Sequence, residues 1–389
     1  LVRFLAYQLA SWVALAVVAR GLGWAGPAIV AIAALYTTVP LLAFVRWRGW
    51  PFYPNALFRV AVVRVLLYTQ LLLPFVAGAA VIGMLIGLPF GTSLLLGRSV
   101  AGAVLLAGAL TLVAGYVGSR RLVVREVEAR VRGLPASFDG LRIAQISDLH
   151  VGPQTPKRFL SRVAETVARV APDIIAVTGD VVDDRAEDVP WYAAAFARLR
   201  APLGVYLIPG NHDIYAGWDA VSQSLSASTD ATILVNDSRL VERAGARLAI
   251  VGTGDPAARA RWSTSPNERA APDVDRALAQ VPAATTIVAF AHNPALWPGL
   301  AERGVALTLS GHTHWGQFAL PRFGWSLASP FLDHAMGAHR AGDALLYINP
   351  GTGYWGIPFR LGAFPEITVV TMRRAQESSV TVGRPRRAA

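Results

Sequence analysis

The chain has no cysteine. That excludes disulfides, thiolate metal sites and cysteine nucleophiles together. Charge is also scarce: 16% of the 389 residues are charged, against about 25% in a soluble domain. Lysine is almost absent, with Lys157 the single example among 36 basic residues, which reads as composition bias and not chemistry. No internal repeat or low-complexity tract appears. The formal charge of +11 at first suggests a polyanion partner, but its distribution argues otherwise. Residues 1–132 carry twelve Arg against two Glu, whereas the 24 basic and 23 acidic groups that follow nearly cancel. The larger part of the chain therefore has no electrostatic footprint for nucleic acid, and no nucleic-acid partner is expected.

What is abundant is apolar sequence, and it is concentrated near the start. Phe4–Ala19, Gly21–Val45, Val65–Gly97 and Ser99–Ser119 contain no charged residue. A bilayer-spanning helix needs roughly 20 apolar residues. The second and fourth stretches meet that directly. The third exceeds it and is expected to span to Gly87, with Leu88–Ser93 as a Pro/Gly turn. The first is short, and the chain begins with Leu instead of Met, so its start reads as truncated or mis-assigned. A signal peptide would explain Phe4–Ala19 alone, not three further runs. Residues 1–119 are thus expected to form an all-α membrane bundle of about four helices.

Arg46, Arg48, Arg59 and Arg64 fall between the second and third runs, and Arg120, Arg121 and Arg125 follow the fourth. Only Arg20 and Arg98 lie at the other two connections. Positive flanks face the cytoplasm. The expectation is a multi-pass protein of the inner (cytoplasmic) membrane, with the large C-terminal region in the cytoplasm. Trp47, Trp50, Phe52 and Tyr53 suit an interfacial aromatic belt. The spans contain no ionisable group, which favours anchoring over a channel or carrier.

Residues 120–140 mix charge with alternating apolar residues and read as a linker with room for a first strand. From Leu141 the texture changes. "LRIAQIS", "DIIAVTG", "GVYLIPG", "RLAIVG", "TTIVAFA" and "VALTLSG" look like buried strands. Arg158–Val170, Pro190–Leu199 and Asp273–Val281 look like helices between them. Such alternation indicates an α/β or layered α+β domain, placed at 141–372. Residues 373–389 read as a mobile tail.

Polar residues gather directly after the expected strands: Asp148 and His150, Asp180, Asn211-His212-Asp213, His292, and His312 with His314. Strand carboxyl ends are where sites assemble in α/β sheets. Carboxylates, an amide and imidazoles together suit Mn, Fe or Zn and disfavour Ca. Two such cations sharing one carboxylate would activate a water for in-line attack on phosphorus. Any one of these motifs alone is weak, since a lone histidine is more often a satisfied core residue. Yet five of the seven histidines fall inside the set, and that weighs against unrelated turn residues.

"SDLHVG", "GDVVD", "GNHD", "HNP" and "GHTHWGQ" resemble the calcineurin-like metallophosphoesterase family, over about residues 140–370. The "NPGTG…R…PEI" ending is most similar to its bacterial membrane-associated branch. The resemblance implies a four-layer α/β/β/α sandwich (α+β) binding two divalent metal ions. It implies Asp148, His150 and His314 on one metal, Asp180 as the bridge, and Asn211, His292 and His312 on the second. His212 resembles a histidine that contacts phosphate and protonates the leaving oxygen, with Asp213 placed to orient it. The family usually has a small residue after the last ligand, and Trp315 stands there instead. Trp315 is a candidate to stack on substrate or to pack into the fold, and Arg360 a candidate phosphate contact. Asp183 has a possible role behind the ligands, while His334 and His339 read as surface residues.

The implied activity is hydrolysis of a phosphoester or phosphoanhydride. Membrane attachment favours a lipid-linked or amphipathic substrate, for example a nucleotide-linked glycolipid pyrophosphate of the UDP-diacylglucosamine type. The alternative is a non-catalytic membrane sensor or regulatory module whose metals serve structure or ligand binding. An intact His212 and Asp213 argue against it. Sequence does not set the oligomeric state.

Overall fold

The computed structural model describes residues 2–46, 56–260 and 267–388. They fall into two units, Leu1–Ala114 and Gly115–Ala389.

The first unit is helical. It contains α1 (Val2–Ala19), α2 (Ala25–Arg46), a single turn α3 (Ala56–Phe58) leading through a π-helical stretch (Arg59–Arg64) into α4 (Val65–Gly87), and α5 (Ser93–Gly118), whose last turn belongs to the second unit. Leu5–Leu22, Ala25–Leu42, Val60–Phe90 and Ser93–Gly118 are each long and apolar enough to cross a membrane. Leu9, Ile29, Phe75, Ile82 and Leu106 are exposed on the bundle surface, as a lipid solvent permits. Inside, contact is made by small residues. Ala80 packs on Val18, Val76 and Ala101, and a Cβ on Gly83 would strike the backbone of Leu96 and Gly97. Close backbone approach is how helices associate when lipid is as apolar as their side chains. The buried amide of Gln8 is satisfied by Gln70, to which it donates at 2.6 Å. The third apolar run ends in the expected turn, with Leu88–Phe90 as a 3-10 turn and Gly91 at φ +65°. The suggested aromatic belt, Trp47, Trp50, Phe52 and Tyr53, lies outside the described residues.

The second unit contains strands β1 (Val123–Arg132), β2 (Arg142–Ile146), β3 (Ile174–Thr178), β4 (Val205–Ile208), β5 (Thr232–Ile233), β6 (Asp237–Arg243), β7 (Ala246–Gly252), β8 (Thr286–Phe290), β9 (Leu307–Ser310), β10 (Ala319–Leu320), β11 (Trp325–Ser326), β12 (Gly337–Ala341), β13 (Ala344–Ile348), β14 (Glu366–Ala375), β15 (Ser379–Val382) and β16 (Arg386–Arg387). Its helices include α6 (Lys157–Val170), α7 (Val189–Phe196), α8 (Asn211–Tyr215), α9 (Trp218–Ser228), α10 (Val274–Leu278) and α11 (Trp297–Glu302).

One sheet has the order β15-β1-β14-β2-β3-β4-β5, with β16 also on β1; the other has the order β12-β13-β9-β8-β7-β6. Both are mixed: β2, β3, β4 and β5 run parallel, as do β7, β8, β9 and β13, while β14 is antiparallel to β2. The sheets face each other across one core, where Ile143, Ala176, Tyr206 and Ile208 meet Ile250, Phe290, Leu309 and Tyr347. The outer face of the first sheet is covered by α6, α7 and α9 through Leu160, Val163, Tyr192 and Val221. The outer face of the second is covered by α10 and α11 through Ala277 and Leu300. This is the expected α/β/β/α layering. Strands buried on both faces are apolar at nearly every position, which is why β2, β3, β8 and β9 are legible as short continuous runs.

One segment takes up the strand for which its sequence left room, and another differs from its sequence reading. Within 120–140, β1 is an inner strand that pairs in parallel with β14 over ten residues. It alternates inward Val127, Ala129 and Val131 with outward charges, so one half of its sequence looks like a linker. After Met372, the tail continues as β14 to Ala375, then adds β15 and β16 antiparallel to β1. Backbone pairing along β1, not apolar composition, holds it there.

Candidate metal centre

The ends of both sheets meet at one edge. Asp148 and His150 follow β2, Asp180 follows β3, and Asn211 opens α8 after β4. His292 follows β8, and His312 and His314 follow β9. Asp148, His150, Asp180, His312 and His314 all hold left-handed backbone, with φ between +45° and +69°. Such conformations cost roughly 1–3 kcal/mol each and persist where the surroundings enforce them. Here the sharp turns aim each side chain back across the strand ends. Gly210 and Gly311 make room, since a Cβ on the first would fall on the Asp180 carboxylate and one on the second on that of Asp148.

The seven groups converge as two sets. His150 Nε2 lies 2.9 Å from His314 Nε2 and 3.6 Å from Asp180 Oδ2. His314 Nε2 lies 3.4 Å from Asp148 Oδ1. On the other side, His292 Nε2 is 3.3 Å from Asp180 Oδ2 and 3.1 Å from Asn211 Oδ1, and His312 Nδ1 is 2.7 Å from that same amide oxygen. Asp180 is thus common to both. All seven are buried except His312, which is partly so.

These residues fit a pair of divalent cations. Ligand atoms of Asp148, His150 and His314, and separately of Asp148, Asp180 and His292, lie within 4.8 Å of one another. Nitrogen lone pairs and carboxylate oxygens face the same space, with few donors among them to satisfy each other. Outer ring nitrogens are tied back, as ligating histidines require. His292 Nδ1 meets Thr178 O at 2.7 Å, and His150 Nδ1 meets Asp183 Oδ1 at 3.2 Å. Without a cation the charges respond to one another. Burial would raise Asp180, but His292 and His212 hold it well below the usual carboxylate range. Burial would lower His292, yet Asp180, Asp148 and Asp255 together raise it well above a normal imidazole. Burial, then His292, pushes His312 down to about 4.

His212 borders this centre, with its ring 4.6 Å from that of His150. Its side chain is 14% exposed, and Nδ1 bonds the carbonyl of Asp183 at 2.7 Å. The expected Asp213 partner is elsewhere. Asp213 is fully buried and accepts from the backbone N–H groups of Val182 and Gly210, at 3.1 and 3.0 Å. It ties the turns after β3 and β4 together, and Asp183 takes the place next to His212 and His150. On a short helix, residue 213 points away from its neighbour 212, so adjacency in sequence misleads.

Two further assignments are corrected. Trp315 does not reach substrate: it is 2% exposed, donates Nε1–H to Ile348 O at 3.0 Å, and packs on Trp297, Ala319 and Leu346. Its φ of +49° turns the ring into the core. Arg360 is fully buried behind His314 and offers no surface to a phosphate. Its Nη1 donates to His314 O and Pro350 O, and its Nη2 to Gly353 O and His314 Nδ1. It fixes the "NPGTG" loop, whose Thr352 and Gly353 donate to the backbone of Ser147 and Asp148. His334 and His339 are half-buried, with the His334 ring edge-on to those of Trp297 and His339.

Residues 141–316 match the family model described as calcineurin-like phosphoesterase. The uncharacterized metallophosphoesterase YkuE of Bacillus subtilis is 30% identical over 278 residues, covering 69% of this chain and 93% of that protein. The chain belongs to the calcineurin-like metallophosphoesterase family. A transmembrane protein with metallophosphoesterase domain from Danio rerio is 33% identical over 263 residues, 65% of this chain and 57% of that one. An uncharacterized metallophosphoesterase of Helicobacter pylori is 33% identical over 233 residues, 60% of each chain. The chain thus spans about 60% of the length of these two relatives. Four apolar helices and relatives described as transmembrane proteins associate it with a membrane.

Proposed function

We propose that the chain hydrolyses an amphipathic or lipid-linked phosphoester at a two-metal centre held at a membrane. The supporting observation is the sharing of buried Asp180 between the two donor sets, with partly open His212 beside them. In this reading Asp148, His150, His314 and Asp180 would hold one cation, and Asp180, Asn211, His292 and His312 would hold the other. Divalent cations at such a site polarise the phosphoryl group and lower the pKa of a bound water.

The remaining steps belong to the chain's own side chains. With Nδ1–H bonded to Asp183 O, Nε2 is left to meet substrate phosphate, and in the imidazolium form it delivers its own proton to the leaving oxygen and returns to the neutral ring. The His212 backbone N–H donates to Asp180 Oδ1 at 2.8 Å, which ties that histidine's position to the shared carboxylate. The burial of Asp148, Asp180 and His292 excludes bulk water and strengthens each electrostatic contact. The Arg distribution supports a cytoplasmic second unit, and a C-terminal tag reachable only from outside the cell would contradict that.

The test is a panel of lipid and nucleotide phosphoesters, including a UDP-diacylglucosamine-type pyrophosphate, with Mn, Fe or Zn supplied. His212→Ala and Asp180→Asn are each expected to lower turnover by about 100-fold or more while membrane insertion is unchanged. Parental turnover in both would refute these roles. Ligand binding without any turnover in the parent would favour a sensor.

A further inference from the structure

Among the described residues of the second unit, large apolar side chains on the surface are not scattered. Apart from Val117, Leu240 and Val382, all of them lie between residues 320 and 355. Phe323 is 79% exposed, Phe331 81% and Trp355 52%, with Leu320, Trp325 and Leu327 beside them. Single exposed leucines need no explanation, but an aromatic cluster does.

The cluster is built, not frayed. Leu320 pairs with Trp325 across the β10–β11 hairpin, and Leu327 N donates to Phe318 O. Phe331 and Leu332 both donate to Ala328 O, and buried Ser326 bonds Ser329. Gln317 exchanges two hydrogen bonds with the backbone of Trp355. The backbone thus pins its apolar side chains in the open. It also borders the centre: the Trp355 ring is 6.2 Å from that of His212.

We propose that this surface, the excursion from Phe318 to Leu332 with Trp355, docks into the interfacial layer of a phospholipid bilayer. Three observations select that occupant. The second unit starts at Gly115, in the last turn of a helix apolar enough to cross a membrane, and β1 begins at Val123. An extended chain covers the gap after Gly118 in about 15–18 Å, so bilayer is always within reach of the unit. The first residues of the unit join the same loop cluster: Arg360 N donates to Gly115 O, and Ala319 N donates to Leu361 O in the following residue. The chemistry also matches, since Trp and Phe rings with Arg322 among them in the chain suit a headgroup layer with anionic lipid, and residues 318–332 contain no acid. Docking of this kind would open the mouth beside His212 onto the lipid surface. Only that consequence rests on the phosphoesterase reading.

The absence of cysteine makes the test direct. Phe323→Cys, Phe331→Cys and, as a reference outside the cluster, exposed Gln280→Cys are each labelled with an environment-sensitive fluorophore in the full chain. The proteins are reconstituted in phosphatidylethanolamine–phosphatidylglycerol vesicles. Labels at 323 and 331 are expected to be quenched by nitroxide carried near the lipid headgroup, and several-fold less by aqueous iodide than the label at 280. Iodide quenching equal to that at 280 would overturn the proposal. So would protection from both quenchers, which would indicate a protein covering the surface. A double variant, Phe323→Asp with Phe331→Asp, should lose turnover several-fold on a bilayer-embedded phosphoester and keep parental turnover on a small soluble phosphodiester. Equal loss on both would also overturn it. A parent inactive on both substrates would remove the catalytic reading and leave the quenching result standing.

Discussion

Replacing Arg360 with methionine separates two roles that the sequence could not. Methionine keeps an unbranched chain of similar reach and removes the charge. The parent guanidinium makes four contacts of 3.0 Å or less inside a site with no exposure: His314 O at 3.0 Å, Pro350 O at 2.5 Å, Gly353 O at 2.5 Å and His314 Nδ1 at 2.7 Å. Losing them orphans three buried carbonyls, each costing about 1–3 kcal/mol if left unmet. Relaxation recovers part of this, so a net loss of about 3–5 kcal/mol is expected, as for other broken buried charge networks. For a unit of this size that lowers the melting temperature by on the order of 10 °C. The assay is calorimetry of the full chain in detergent with chelator present, so that loss of a metal ligand does not contribute. Arg360→Lys should fall between, because one ammonium cannot reach all four acceptors. If Arg360→Met melts with the parent and instead raises KM for a small phosphodiester, Arg360 contacts phosphate and the buried arrangement is refuted.

Trp315→Phe should cost about 1–2 kcal/mol, from the orphaned carbonyl of Ile348, and leave KM unchanged in steady-state assays. A raised KM would return Trp315 to the substrate pocket. Asp183→Ala removes the carboxylate behind His150 and should weaken metal retention by about 10–100-fold, read by titration against a chelating dye, with little change in melting. The pH dependence of the metal-free protein offers a separate check. Burial pushes Asp255 up to about 6, although His292 pulls it down. A carboxyl raised on folding stabilises fully below its unfolded value near 4, and that stability is lost as pH rises through about 6. The shift corresponds to about 3 kcal/mol. Asp255→Asn retains an oxygen to accept from Ala257 N–H and has no such titration. Its urea midpoint should therefore fall less than the parent's between pH 4 and 7; parallel curves would remove Asp255 from the account.

Sequence legibility followed how local each cause is. Four uncharged runs define helices because a bilayer demands length and apolarity from the segment itself. Apolar runs ending in Asp, Asn or His revealed β2, β3, β4, β8 and β9 and the residues at their ends, since burial on both faces leaves a continuous signature. Strand β1 was legible only as room for a strand, and the tail strands escaped, because their stability lies in pairing with a partner more than 200 residues away, Val123 with Glu366 for instance, and pairing leaves no local mark.

The candidate site divides the same way. Sequence alone determined which side chains can bind cations or carry protons, because that is fixed by functional groups and by their positions after strands. Tertiary structure decided what each one faces. Left-handed turns at Asp148, His150, Asp180, His312 and His314 bring the ends of two sheets together, and no spacing in the chain encodes that meeting. Asp213, Trp315 and Arg360 share the chemistry of site residues, yet burial and backbone partners commit them to holding turns, core and loop. An ionisable or aromatic group takes its role from its neighbours in space, and those neighbours exist only once the chain has folded.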